Sequence, residues 1–405
     1  MSSERPPAAP SSPSPPSSIS TPAVAPGERG TVTYIYRWDL DKTYLQTDFD
    51  SVRALLRTAI ERASDKRNVP GAATLLRELR RAARSGETTR VCFVSGSPKQ
   101  MRRVLTEKLR LDGIEFDEFI LKPNLRNLLT GRFRALREQV GYKLPALLTG
   151  RAGVTRSARE VCFGDDAESD AFIYSLYGDL LAGRISRPQL EEILERAGTY
   201  PDDASRTVAL FESVYQSQPP HGTAGQSHPE LAALPSPALS GPFLHEIVGR
   251  IFIHLDRRSA PRRFDRYGTR LVPIYNYFQA ALVLHQDGRL AADSVVRVAV
   301  EMVDRHEYSL EALRNSLQDL LRRGRLSVET VRQLGAAIAD GQGEADLLPA
   351  LGSLPSTRDL LRSLARSLRD LGPSAGAVPA SLAEGGALTI DYLKALEEDL
   401  PRHRR

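Results

Sequence analysis

Two aspartates spaced two apart, Asp39 and Asp41, lie in the run Arg37-Trp-Asp-Leu-Asp-Lys-Thr43, directly behind the strand-forming Thr31-Val-Thr-Tyr-Ile-Tyr36. Strand side chains alternate faces, so both carboxylates start on one side. At the C-terminal end of a strand in an open α/β sheet, that side is the crevice where ligands bind. Like charges gathered there call for a cation, a shared proton or phosphoryl chemistry. Comparable groups end later strand-like runs. Ser95, with Gly96 and Ser97 behind it, follows Arg90-Val-Cys-Phe-Val94, and Asp165, Asp166 and Asp170 follow Glu160-Val-Cys-Phe163. Lys143 lies upstream of that last run, and Lys122, at the end of a third run, competes for the same role. In a parallel sheet all of these converge on one edge. Carboxylates, a hydroxyl and one ammonium suit an anion only beside a hard cation, and oxygen-only ligands point to Mg²⁺.

The elements that must position these groups alternate. Helical spacing of Leu, Ile and Ala over 48–63 and 72–83, interrupted by Asn68-Val-Pro-Gly71, separates the first two strands. A helix is expected over 99–111, a strand near 116–121, one helical segment reaching Gly141 and another opening at Lys143. This alternation predicts an α/β fold: a parallel sheet covered on both faces. Residues 1–30, rich in Pro, Ser and Ala, read as a disordered arm. The core is expected over 31–175, a helical insertion with a Pro/Gly/Ser-rich loop over 176–242, and a final strand region over 243–275. A helical C-terminal region (276–375) and a tail (376–405) complete the chain. Ser186-Arg-Pro-Gln189 matches a capping box, and Gly-Arg-Ile/Leu recurs at Gly183, Gly288 and Gly324 as a reused turn-and-cap device. Residues 357–371 carry leucines at amphipathic spacing, read first as a packing helix and second as a membrane-surface one.

Composition narrows the class. The net charge of +5 over 405 residues is mild, with bases mixed among acids, so no nucleic-acid partner is expected. The two cysteines allow neither a thiolate metal site nor a disulfide scaffold, which suits a reducing, cytoplasmic setting. No run of about 18 apolar residues spans a membrane, and the N-terminus lacks a signal-peptide pattern; at most peripheral membrane contact is expected. All seven histidines lie outside the motifs, against phosphohistidine or His-zinc chemistry.

The ordered set Asp-Leu-Asp-Lys-Thr43, the serine of Val94-Ser-Gly-Ser-Pro98, a lysine, and Gly164-Asp-Asp-Ala-Glu-Ser-Asp170 resembles the haloacid-dehalogenase-like (HAD-like) phosphohydrolase superfamily. Val69-Pro-Gly71, Tyr142-Lys143 and the Ala-Phe-Ile-Tyr174 that ends the fourth motif bring it closest to the actin-patch-associated phosphatidate phosphatase catalytic domain. The resemblance covers about residues 31–175 and the strand near 250–254. It implies a Rossmannoid three-layer α/β/α fold and a Mg²⁺-dependent phosphatase acting on a phosphate monoester, a phosphatidate-type lipid or another bulky ester. In that pattern Asp39 is the nucleophile and Asp41 the general acid and base. Asp39, the Asp41 carbonyl, Asp165 and either Asp166 or Asp170 hold the metal. Ser95, Thr43, Gly96 and Ser97 bind phosphate, and Lys143, or else Lys122, stabilises the charge. The alternatives are a phosphotransferase or mutase of the same fold, or a catalytically silent scaffold. The sequence departs from the pattern at Tyr142, where His is usual, at Asp166-Ala167, where Ser-Gly is usual, and in the long insertion. No cap domain fits between the motifs, so the insertion or the C-terminal helices are expected as a substitute lid. The implied strand order puts the Asp39 strand between the two cysteine strands, holding the thiols about 9–10 Å apart and outside disulfide reach.

Overall fold

The structure, a computed structural model, describes residues 32–46, 63–84, 86–122, 136–155, 157–217, 246–339 and 389–399. The expected helix over 48–63, apart from its last residue, and the amphipathic segment 357–371 lie outside them. Six parallel strands form one sheet in the order β3-β2-β1-β4-β5-β6. These are β1 (Val32–Trp38), β2 (Glu87–Pro98), β3 (Glu118–Lys122), β4 (Arg159–Asp165), β5 (Val248–His254) and β6 (Leu271–Ile274). The α/β class and the parallel sheet expected from the alternating pattern are both met. Cys92 and Cys162 each stand opposite Arg37 in the register, one strand on either side of β1, and both are free and buried.

Strand alternation assigns the two faces. Tyr34, Tyr36 and Trp38 of β1 join Val91, Phe93, Phe163 and Phe252 in one apolar cluster. Against it pack α1 (Ala72–Arg81), α2 (Arg102–Leu111), α7 (Tyr277–Gln286), α8 (Ala292–His306), α9 (Leu310–Arg322) and α10 (Val328–Ala339). Trp38 is stacked on Phe163 with ring centroids 3.9 Å apart, and Tyr277 of α7 lies beyond it at 5.3 Å. The other face receives α3 (Leu136–Ala152), α4 (Asp170–Leu181), α5 (Arg187–Arg196), α6 (Pro201–Ser217) and α11 (Tyr392–Asp399). The described helices of the regions expected as a substitute lid thus turn their apolar residues onto the two faces of the sheet and form its outer layers.

Local rules explain most of the elements. The Ser186 backbone N–H donates to Gln189 Oε1 at 2.9 Å, closing the capping box that starts α5. Gly183, Gly288 and Gly324 have φ of 70°, 68° and 64°. Each ends one helix with paired backbone bonds, such as Gly183 N–H to Leu180 O and Arg184 N–H to Asp179 O, just before the next helix starts. One expectation is corrected. The break placed between Gly141 and Lys143 does not exist, because α3 runs unbroken from Leu136 to Ala152 with Pro145 inside it. Gly141 is there for packing: a Cβ on it would meet Asp203 Oδ2 at 3.1 Å and Thr199 Cγ2 at 3.3 Å, where α6 crosses.

A charged cluster ties β1 and β4 to the helices below the site. The Arg37 guanidinium donates to both oxygens of Glu160, through Nε to Oε2 and through Nη2 to Oε1 at 3.3 Å. Arg151 of α3 adds a bond of 3.2 Å to Oε1, and the Tyr177 hydroxyl of α4 lies 3.1 and 3.0 Å from the two oxygens. Burial works against the Glu160 carboxylate, but Arg37 and Arg151 outweigh it and hold its pKa below the ordinary range. Glu160→Gln keeps the shape while removing the buried negative charge that Arg37 and Arg151 share. It should lower unfolding stability by about 3–5 kcal/mol, measured by equilibrium denaturation; a change within ±0.5 kcal/mol, the usual size for a surface substitution, would show the cluster to be dispensable.

Candidate active site

The strand ends deliver their side chains to one edge. Asp39, immediately after β1, donates its backbone N–H to Phe163 O at 2.8 Å, which extends the β1–β4 pairing past the last strand residue and keeps the carboxylate beside β4. The chain then turns through Lys42, at φ 61°. Tyr277 holds this turn from one side, its hydroxyl donating to Thr43 O at 2.6 Å, and His254 Nδ1 lies 2.8 Å from Lys42 O on the other. β2 bulges between Ser95 and Pro98, bringing two hydroxyls inward. Ser95 Oγ donates to Asp41 Oδ2 at 3.0 Å and Ser97 Oγ to the same oxygen at 2.7 Å.

Asp39, Asp165 and Asp170 are fully buried, and each offers an oxygen within 4.8 Å of the others. Lys143 reaches from α3 into this group. Its Nζ lies 2.9 Å from Asp39 Oδ1, 2.5 Å from Asp170 Oδ1 and 2.7 Å from Glu168 Oε2. Asp165 Oδ1 accepts the N–H groups of Ala167 and Glu168 at 2.6 and 3.0 Å, and Thr43 Oγ1 donates to Oδ2 at 3.4 Å. Gly164 permits the close approach of α4: a Cβ there would lie 2.5 Å from both Cβ and Oδ2 of Asp170.

One ammonium does not balance this many acids in a buried site. Burial pushes the Asp39 carboxyl well above its usual range; Lys143 opposes this, while Asp170, Glu168 and Asp165 push it further. Asp165 is raised likewise, by burial and then by Glu168 and Asp170. Asp41 and Asp170 are each pushed up to about 6, chiefly by burial. Burial alone would lower the Lys143 ammonium, but Asp170, Asp39 and Glu168 hold it well above its ordinary value. Asp39 Oδ2 and Asp41 Oδ1 are buried without a hydrogen-bond partner among the described residues, and Asp39 Oδ1 has Lys143 near it without hydrogen-bond geometry. Unsatisfied anionic oxygens in a low dielectric are costly, and this oxygen-only donor set fits a hard divalent cation.

The other expected residues fall in distinct places. Asp166 turns away from the cluster, its Oδ1 and Oδ2 accepting the N–H groups of Arg257 and Ser259 at 2.8 and 3.0 Å. Lys122 pairs instead with Glu138 at 3.2 Å. The Ser97 N–H points to Ser95 Oγ at 2.9 Å rather than into the site, and Gly96 faces open space. Several contributors have a contact that the sequence reading does not give. Glu168 is visible there only as an extra acid within the fourth motif. Ser97, expected to bind phosphate, contributes its hydroxyl to Asp41. Tyr142, standing where the resemblance implies His, donates its hydroxyl to Ser95 O at 3.0 Å. His254 and Tyr277, more than 200 positions from the first motif, reach it only through the sheet register and α7.

A parallel sheet that gathers carboxylates and a lysine at the C-terminal ends of its strands places them where open α/β sheets bind ligands. Residues 38–187 match the family model described as phosphatidate phosphatase APP1, catalytic domain. The stretch that carries all four motifs is thus similar to the catalytic domain whose pattern those motifs resemble, and the match supports a phosphatase, a hydrolase of phosphate esters. No curated protein and no solved structure matches the chain. The family match ends before β5, so His254 and Tyr277 lie outside it. Among the described residues no helix is long and apolar enough to cross a membrane.

Gly164→Ala should force Asp170 and the start of α4 away from β4. We expect a loss of about 1–3 kcal/mol from overpacking in a thermal melt. Phosphate-ester turnover should fall on the order of 100-fold, as for about 1 Å of misplacement. Wild-type turnover in the variant would show that the contact does not matter.

Proposed function

We propose that the protein is a Mg²⁺-dependent phosphatase that hydrolyses a phosphate monoester, of the phosphatidate type, through an aspartyl phosphate on Asp39. The observation that carries the reading is the buried group of Asp39, Asp165 and Asp170 around Lys143, with Asp41 held beside it by two serine hydroxyls. Asp39 and Asp41 follow from their order along the motif, and Asp39 is the carboxylate that both faces Lys143 and keeps an unpaired oxygen.

In the first step an Asp39 oxygen attacks phosphorus as the ester P–O bond breaks. The bonding pair leaves with the alcohol oxygen, which takes the Asp41 proton. In the second, water attacks the phosphoryl group, Asp41 accepts its proton, and the P–O bond to Asp39 breaks, releasing inorganic phosphate. Lys143 lowers the negative charge that builds on Asp39 and the moving group. Ser95 and Ser97 orient Asp41, and the Gly96 backbone, Ser95 and Thr43 belong to the phosphate-binding side of the reading. Asp39, Asp165 and Asp170, with the Asp41 carbonyl, would hold Mg²⁺, which when bound neutralises phosphoryl oxygens. Asp170 is favoured over Asp166 as a ligand because Asp166 is engaged by Arg257 and Ser259. The catalytic unit of this reading extends past the family match through β5 and β6, and a cytoplasmic setting accords with two free, buried cysteines.

Asp39→Asn should lower phosphate release from p-nitrophenyl phosphate and from phosphatidate, in Mg²⁺, by a factor on the order of 10⁴ or more, the scale of losing a nucleophile. Undiminished turnover in that variant, or wild-type inertness toward every ester tried, would sink the proposal. A pH profile tests Asp41 separately. Its acid form donates the proton, and its pKa stands at about 6, so kcat/KM for an alkyl phosphate should fall as pH rises through that value. The Ser97 hydroxyl favours the charged form, so Ser97→Ala should raise the pKa and move this limb to higher pH. A limb that stays in place would remove Asp41 from the acid role.

A further inference from the structure

Exposed cations that the chemistry above does not use stand around the same strand ends. Lys99 and Arg103 follow the end of β2, Arg257 and Arg258 lie in the loop after β5, and Arg262 lies in the short 3₁₀ helix (Pro261–Tyr267) that follows the loop; all five are exposed. Among the described residues none of the five has an acid partner. The β5 loop borders the site directly. Asp256 Oδ2 lies 3.2 Å from Lys42 Nζ in the first motif, and Arg257 donates its backbone N–H to Asp166, the residue after Asp165.

This loop has a fixed shape. Asp166 accepts the Arg257 and Ser259 N–H groups with its two oxygens, and the Arg258 N–H donates to Leu255 O at 3.1 Å. Arg258 is held at φ 55°, a left-handed conformation that an arginine seldom adopts. Where the family resemblance implies serine, this chain therefore has a carboxylate whose two oxygens bind two successive parts of a basic loop. Tyr275, directly after β6 on the same edge, is 41% exposed, with the Arg323 guanidinium 6.0 Å over its ring. Tyrosine beside arginine suits a headgroup layer, where one end of the ring is apolar and the other wet.

We propose that this rim is the face by which the protein docks on an anionic lipid bilayer, with the strand ends turned toward the headgroups. The inference rests on the phosphatase reading for its purpose: exposed cations beside a buried acidic centre attract a negatively charged surface and bring its phosphate esters to the strand ends. Each Lys or Arg near an anionic surface is worth about a five-fold gain in partitioning.

Sedimentation of the full chain with phosphatidylcholine vesicles, with and without phosphatidylserine, tests docking without turnover. The wild type should bind the anionic vesicles preferentially and lose binding as salt is raised. The triple variant Arg257→Gln, Arg258→Gln, Arg262→Gln should bind them roughly 100-fold more weakly, keep its turnover of p-nitrophenyl phosphate, and lose turnover of phosphatidate in anionic vesicles in parallel. Should the triple variant melt early, Arg258→Gly decides, since glycine accepts the loop's backbone angle; about a five-fold loss is expected. Equal wild-type binding to both vesicle types, or variants that bind as the wild type does, would overturn the docking surface while leaving the phosphatase reading in place. A wild type that binds phosphatidylserine vesicles but hydrolyses no ester would do the reverse.

Discussion

A single ammonium among buried carboxylates sets the terms for this structure. Lys143 stands within hydrogen-bond distance of Asp39, Asp170 and Glu168, and in a low dielectric such a group is tolerated only if its geometry is held. α3 must run without a break past Gly141 so that Lys143 points at the strand ends while Arg151, two turns on, reaches Glu160. α4 must start at Asp170, against a residue with no side chain, Gly164. The two faces of the sheet therefore serve one edge, because the helices that cover them carry the groups that neutralise and orient its acids.

The same constraint extends into the helices after the family match. Tyr277 opens α7, stacks beyond Trp38 and donates to Thr43 O, so the turn that follows Asp39 rests on residues from the far half of the chain. His254, at the end of β5, pairs in register with Asp165 and contacts Lys42. The residual imbalance of charge, seen in the raised carboxyls of Asp39 and Asp165 and in the unpaired oxygens of Asp39 and Asp41, is what a bound divalent cation would relieve.

Much of this was legible because the signals are local. Alternating apolar runs mark strands, and the residue types that end them mark the ligand edge. Gly183, Gly288 and Gly324 end helices for a reason that needs no tertiary context, since glycine takes a positive φ without steric cost. Where the reading failed, a residue type carried two meanings. Gly141 looked like a helix breaker, but its small size serves the crossing of α6. Asp166 and Asp170 stood as equal candidates beside Asp165, and because consecutive residues past a strand end point in different directions, Asp166 caps the β5 loop.

By itself the sequence determined the α/β class, the order of the motifs and the residue types (acids, a serine and a lysine) that gather at one edge, because period and spacing act within a few residues of each other. Only the tertiary structure decided between competitors of the same chemical type. Lys122 and Lys143 are equivalent as ammonium groups, and it is the unbroken course of α3 that pairs one with Glu138 and the other with Asp39. Asp166 and Asp170 are equivalent as carboxylates, and it is the direction of α4 against Gly164 that brings the second to Asp39 and Asp165. Distances between side chains from separate elements depend on how those elements pack, and packing is a property of the whole chain.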